Sequence, residues 1–218
     1  MIKNFDFASY EDPGILEFKD VVIGERIPKL SMVACAGKVS TIIIDPVHGH
    51  QLIMAILGLG KTKSGYITID GELVTFGSGS FFRQMMCYVP HALPQIEMTV
   101  EDLCQQAFHQ ANGKTLSLEN LTTAWKELEI ESAIWKKDIR KVSQDDLWLI
   151  MLSLAPMFMG PIVLMEEPVV KTEAVYSFIS QLAQQGKEVI CTTQSHPFPS
   201  YQAVDLTANQ FSETSKNE

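Results

Sequence analysis

His48 and His50 lie two residues apart, a spacing that lets two imidazoles share one metal ion, and Glu166 is a carboxylate that could join them. An HxH pair supplies only two ligands, so both histidines are read as loop residues and no metal is assigned. Asp145 and Asp146 follow Ser143 in the stretch SQDD and could hold Mg2+ or meet a basic partner. Acidic residues at the start of a helix ordinarily stabilise its dipole, and that assignment is preferred. The four cysteines, Cys35, Cys87, Cys104 and Cys191, contain no CxxC pair, which argues against a zinc ribbon or a thioredoxin-type centre. They read as small buried thiols of a reducing compartment.

The elements that must position these groups follow from periodicity. Ile15 to Val22 alternates apolar and polar residues as a half-buried strand does. Val39 to Ile44 is rich in β-branched residues and ends at Asp45-Pro46, a turn signal, so a buried strand is expected to run into a loop. A short apolar helix over Leu52 to Leu59 and a strand between turns over Ser64 to Gly71 come next. Cys87 to Val89 reads as a short strand closed by Pro90, and Thr99 caps a helix with Asp102 three residues on. Helices are expected over Leu118 to Leu128 and Ser132 to Lys137, and a long one from Ser143. Ile162 to Met165 is an apolar strand, Ala174 to Gln185 a helix ended by Gly186, and Glu188 to Thr193 a further β-branched strand. Strands alternating with helices around buried runs imply an α/β fold with a mostly parallel sheet. Residues 92–143 read as a helical insertion between core segments 15–91 and 144–206, in one domain over 1–208, with a frayed tail over 209–218.

The chain has 218 residues, of which 46% are hydrophobic and 20% charged, enough to bury a core without disulfide staples. A net charge of -9 would repel a phosphate backbone and argues against nucleic acid as a partner. The start of the sequence carries Asp6, Glu11 and Asp12 and no apolar core, unlike a secretory signal, so a cytoplasmic protein is expected. Leu147 to Met165 is free of charge over a length that matches a membrane span, yet Pro156, Gly160 and Pro161 interrupt it and acidic residues bracket both ends. A helix followed by a buried strand is the reading taken. Most of the ten methionines are expected in the core, some on an adaptable contact surface.

In order along the chain, IIIDPVHGHQLIMAILGL, SGYITIDG, CYVPHALPQIEMTVEDL, KVSQDDL, IVLMEEP and EVICTTQS resemble the phosphate loop, the strand after it, the Gln-loop, the signature motif, the second nucleotide-site strand and the switch-histidine strand of the nucleotide-binding domain of ATP-binding cassette (ABC) transporters. The likeness spans residues 15 to 196 and implies a P-loop NTPase-like cassette with an N-terminal antiparallel part and a helical insertion. Against that pattern the sequence departs at nearly every catalytic position. Asp45 stands where the family has its first glycine, no lysine occurs between Lys38 and Lys61, and Gly49, His50 and Gln51 are what remains of the glycine-lysine-serine step. His91 replaces the Gln-loop glutamine and Gln194 the switch histidine. At the signature Ser143 persists, while Gln144 and Asp145 take the glycine positions and Asp146 the following glutamine. In the family that stretch faces the γ-phosphate of a partner subunit, and carboxylates there repel it by about 1 to 4 kcal/mol at ~4 Å. Glu166 stands for the metal-supporting aspartate, and no aromatic residue occurs from Val21 to Lys29 to stack an adenine.

Glu167 alone keeps the family's residue, the glutamate that activates water. A base without a held phosphate has nothing to attack, so Glu167 is read as idle. The resemblance therefore implies a degenerate ABC transporter ATP-binding subunit, a non-catalytic partner of a second cassette (identical or not) and of an integral membrane permease. Such a subunit is cytoplasmic and reaches the inner membrane face only through its partner, with no cofactor expected. An active ATPase with an altered site, using ATP and Mg2+, is the alternative, and a cytoplasmic scaffold without a transporter is another. The resemblance also places a membrane-subunit groove at Phe81, Phe82, Met85, Met86, Leu93 and Ile96, with packing as the competing reading.

Overall fold

Residues 16–112, 116–195 and 202–207 are described by the computed structural model, so the expectations for Ile15 and for the tail after Ala208 fall outside it. The chain runs β1 (Leu16–Val22), β2 (Leu30–Val33), β3 (Val39–Ile43), α1 (Pro46–Ile56), β4 (Ser64–Ile69), β5 (Glu72–Leu73), α2 (Phe76–Phe82) and β6 (Met86–Val89). It continues through α3 (Val100–Asn112), α4 (Leu118–Glu127), α5 (Gln144–Leu154), β7 (Ile162–Glu166), α6 (Glu173–Gln184), β8 (Glu188–Thr193) and β9 (Gln202–Asp205).

Two sheets result. An antiparallel sheet is ordered β2-β1-β4-β5, and a parallel sheet is ordered β6-β7-β8-β3-β9. Every residue of β3, β7 and β8 is buried, which is why these segments read as unbroken apolar or β-branched runs instead of alternating ones. The parallel sheet separates two cores. On one face Leu16, Phe18, Ile42, Leu52 and Ile190 pack α1 between the sheets; on the other Trp125, Trp148, Ile179, Val189 and Cys191 hold the remaining long helices. The antiparallel sheet is drawn tight at Gly65, where a Cβ would fall 2.2 Å from the Asp20 carbonyl oxygen, beside a break in the β1 register.

Several local readings hold. Thr99 and Asp102 exchange a reciprocal cap at α3, with the Asp102 amide donating to Thr99 Oγ1 at 3.1 Å. Gly186 ends α6 at a φ of 89°, where glycine escapes the Cβ penalty. The uncharged stretch Leu147 to Met165 divides into α5, a 3-10 turn at Ala155–Met157 and β7, and among the described residues no helix is long and apolar enough to cross a membrane. Trp125 and Trp135 turn inward from their polar segments, meet edge to face at 5.8 Å, and Trp125 Nε1 donates to Ser153 Oγ.

Other readings are corrected. The helix placed at Leu52 to Leu59 begins at Pro46, because Asp45 caps it and Pro46 is pre-set for a first turn. The helix at Ser132 to Lys137 is one 3-10 turn, Ser132–Ile134. β2, β5, α2 and β9 were not expected: the strands have four residues or fewer, and α2 (FGSGSFF) holds two glycines and depends on its Thr75–Ser78 capping box. Of the apolar set around the loop, Phe82, Met85 and Met86 are buried and Phe81 and Leu93 pack on the cores, leaving Ile96 exposed. Packing therefore accounts for five of the six. Met165, Met85 and Met86 are core methionines, while Met159 stands out in solvent.

Candidate functional site

β3 and α1 are joined by only Ile44 and Asp45. Asp45, in an extended conformation, caps the helix: its Oδ1 accepts from the amides of Val47 and His48 at 3.2 Å each, and its Oδ2 lies 2.6 Å from His48 Nδ1. Burial alone would raise the Asp45 carboxyl, but the His48 side chain and these amides hold it below the usual carboxylate range. The phosphate loop expected between Asp45 and Gln51 is therefore absent as a loop. Gly49, His50 and Gln51 all lie inside α1. Gly49 is needed for packing, since a Cβ there would come within 3.2–3.3 Å of Thr192 and Ile44, so the helix rests against β8. The far edge of the His48 ring fills the space beside Gly24, where a Cβ would meet Nε2 at 2.1 Å.

Replacing Asp45 with alanine removes the cap and its pairing with His48. We expect a loss of about 1 kcal/mol in urea unfolding at neutral pH. Because the folded-state pKa is lowered, this contribution fades as pH falls through it, and the two proteins converge in acid. A gap that stays constant into acid contradicts the assignment.

Across the cleft, β7 delivers Glu166 with 8% of its surface exposed. Its Oε1 accepts from Tyr88 Oη at 2.6 Å and lies 2.7 Å from His50 Nδ1; a carboxylate can only accept, so His50 carries its proton on Nδ1. Its Oε2 accepts from the His91 amide at 3.4 Å. Burial and the bond to Glu166 push the Tyr88 phenol upward, which keeps it a proton donor. Glu167 is engaged just as fully: Lys171 Nζ donates to Oε1 at 2.8 Å and the Gln194 amide to Oε2 at 2.6 Å. The His91 ring donates from Nδ1 to the Glu167 carbonyl at 3.1 Å.

These groups surround a cavity of about 350 Å³ lined by Asp45, Gly49, His50, His91, Glu167 and Gln194, with Tyr88, Glu166, Thr192 and Thr193. Its lining residues carry three carboxylates and no lysine or arginine. The structure thus brings together seven of the ten expected site residues. Gln51 is exposed on α1 outside the cavity, and Ser143 and Asp145 sit at the N-terminus of α5, also outside it. There Ser143 Oγ accepts from the Asp146 amide at 3.0 Å and donates to Asp146 Oδ2, the capping role expected of these acids. The histidines pair with separate carboxylates, and no cluster able to hold a metal ion occurs among the described residues. Tyr88 and Lys171 were missed. Lys171 follows Glu167 by four residues, a readable spacing, whereas nothing in the sequence links Tyr88 to a carboxylate 78 positions away.

No protein-family model matches the sequence, and no curated protein matches it. Solved structures do. An ABC transporter ATP-binding protein from Pyrococcus furiosus superposes with a TM-score of 0.71 at 19% identity, covering 89% of this chain and 98% of its own. A bacterial ABC transporter cassette solved as a dimer gives 0.69 at 15% identity, over 87% of this chain and 94% of its own. The chain has the fold of an ABC ATP-binding cassette. CbiO1 from Clostridium perfringens, part of the ABC transporter complex cbiONQ, gives 0.63 at 15% identity over 84% and 80%. Within this cassette fold, the cavity between α1, β7 and β8 is the place where the resemblance puts a nucleotide, and its polar groups are bonded to one another.

Proposed function

We propose that the chain is a degenerate ABC transporter ATP-binding subunit that serves as a non-catalytic structural or regulatory member of a membrane transport complex. The observation that carries this reading is the internal pairing of the site: Asp45 takes the leading amides of α1, and Glu166 and Glu167 are each bonded on both oxygens. A triphosphate entering the cavity would meet carboxylates and no lysine or arginine in the lining, the nearby Lys171 being already paired with Glu167, at a repulsion of order 1 kcal/mol or more for each close unpaired carboxylate. The residues present do not suit Mg-ATP, and no hydrolytic step is derived for them. Structural neighbours that are dimeric or part of a transporter complex support a second cassette and a permease as partners. On that reading the chain works in the cytoplasm, held at the inner face of the membrane by the permease.

Calorimetry with Mg-ATP and a phosphate-release assay on the purified chain test it. The expected result is no saturable heat at millimolar nucleotide, and a Glu167→Gln variant indistinguishable from wild type in phosphate release. Submillimolar binding with turnover that depends on Glu167 would overturn the proposal.

A further inference from the structure

Two imidazoles of the cleft keep one ring nitrogen each outside the bonding described above. His50 Nδ1 donates to Glu166 Oε1 at 2.7 Å, and His91 Nδ1 to the Glu167 carbonyl at 3.1 Å. With the proton fixed on Nδ1, a neutral ring presents a bare lone pair at Nε2, and neither Nε2 has a hydrogen-bond partner among the described residues. Thr192 adds a third open group: it is 3% exposed, lines the same cavity, and its hydroxyl makes no hydrogen bond among the described residues. A buried hydroxyl left open in this way calls for a partner. The cavity of about 350 Å³ lies at the low end of small-molecule sites, and Ile44, Pro46, Pro90 and Ala92 give it an apolar wall.

We propose that this cavity binds a primary ammonium carried on a short aliphatic stem, with its N–H bonds directed to His50 Nε2, His91 Nε2 and the Thr192 hydroxyl. An ammonium has three donors and no acceptor, the complement of three open lone pairs. The surrounding charge has the matching sign. Lys171 offsets Glu167, but Asp45 is paired with His48, and Glu166 with His50 and Tyr88, so two carboxylates lack a cationic partner while the imidazoles are neutral. A phosphate or carboxylate would meet lone pairs and like charge, and an alcohol brings one donor where three acceptors wait. Two imidazoles fall short of a metal site, and no group of three metal-ligating side chains occurs among the described residues. The inference rests on the reading that the cleft does not take Mg-ATP, because both ligands would occupy the same space.

Proton–nitrogen correlation spectra of the histidine rings in the full chain test it at pH 8, where an ordinary imidazole is neutral. Butylammonium chloride stands for a free amine and acetyl-Gly-Lys-Gly-amide for a lysine side chain; butanol is the neutral control, and Mg-ATP is titrated separately. The expected result is a saturable shift of both Nε2 resonances at millimolar concentration with at least one ammonium probe, the tighter probe naming the source, and no shift with butanol. Thr192→Val keeps the side-chain shape and His91→Phe changes an exposed position, so both should fold, as circular dichroism verifies, and each should weaken binding about tenfold. Silence with both ammonium probes, equal shifts with butanol, or unchanged affinity in both variants overturns this inference and leaves the non-nucleotide reading standing. Saturable shifts with submillimolar Mg-ATP remove that reading, and this inference with it.

Discussion

Replacing Glu188 with glutamine is expected to stabilise the protein at neutral and alkaline pH and to abolish a pH dependence of the wild type. Glu188 opens β8 and is fully buried. Its backbone is satisfied, the amide donating to the Pro161 carbonyl at 2.8 Å, but neither carboxyl oxygen has a hydrogen-bond partner. Burial pushes its pKa from 4.5 up to about 8, opposed by the nearby Leu16 backbone, which falls short of a hydrogen bond, and reinforced by the Asp70 charge. The folded state therefore keeps a proton that the unfolded chain releases above pH 4.5. The associated stability is fully present below that value and is lost as pH rises through about 8. At roughly 1.4 kcal/mol per pH unit, the loss between pH 5 and 8 is on the order of 3 kcal/mol. Glutamine stays neutral throughout. Urea unfolding at pH 5 and pH 8 decides the matter: the wild type should weaken and Glu188→Gln should not, whereas equal slopes for both would show that this carboxyl carries no such proton.

The second large effect falls on the cleft. Glu166→Ala should cost about 2–4 kcal/mol of stability, since it removes the acceptor of the Tyr88 hydroxyl, the His50 ring and the His91 amide together. The lower half of that range is favoured because His50 is 56% exposed and water can replace its bond. Glu166→Gln retains an acceptor oxygen for Tyr88 and should lose less, and Tyr88→Phe about 1 kcal/mol. Melting temperatures of the three variants give the order. A residue kept only to serve a bound metal or nucleotide would leave the apoprotein's melting point unmoved, and that outcome would remove the structural role assigned to Glu166.

The parallel sheet was legible because its strands are buried on both faces, and burial writes continuous β-branched runs such as VSTIII and EVICTT into the sequence. The caps at Thr99 and Ser143 were legible because both partners lie within three residues. Bonds between distant positions left no trace: Tyr88 with Glu166, and the Gln194 amide with Glu167. Side chains at the site were identified as substitutions in a motif, yet their pairing with one another came only from the fold. His91 and Gln194 illustrate the difference, for Gln194 acts through its backbone and His91 through both its amide and its ring. The start of α1 was misplaced for a related reason. Asp-Pro is a signal for a turn and for a helix cap alike, and what decides between them is whether the next residues can rest on β8, as buried Gly49 allows.

The two-residue link between β3 and α1 bears on how this protein could have diverged and what can be rebuilt in it. A cradle that wraps an anion needs extra main chain between strand and helix, and exchanging side chains does not lengthen a backbone. Installing a lysine at His50 and glycines around it would decorate a helix that still starts at Pro46. On the proposed reading, restoring a phosphate cradle would take an insertion, a rarer genetic event than a substitution, so the loss behaves as a ratchet.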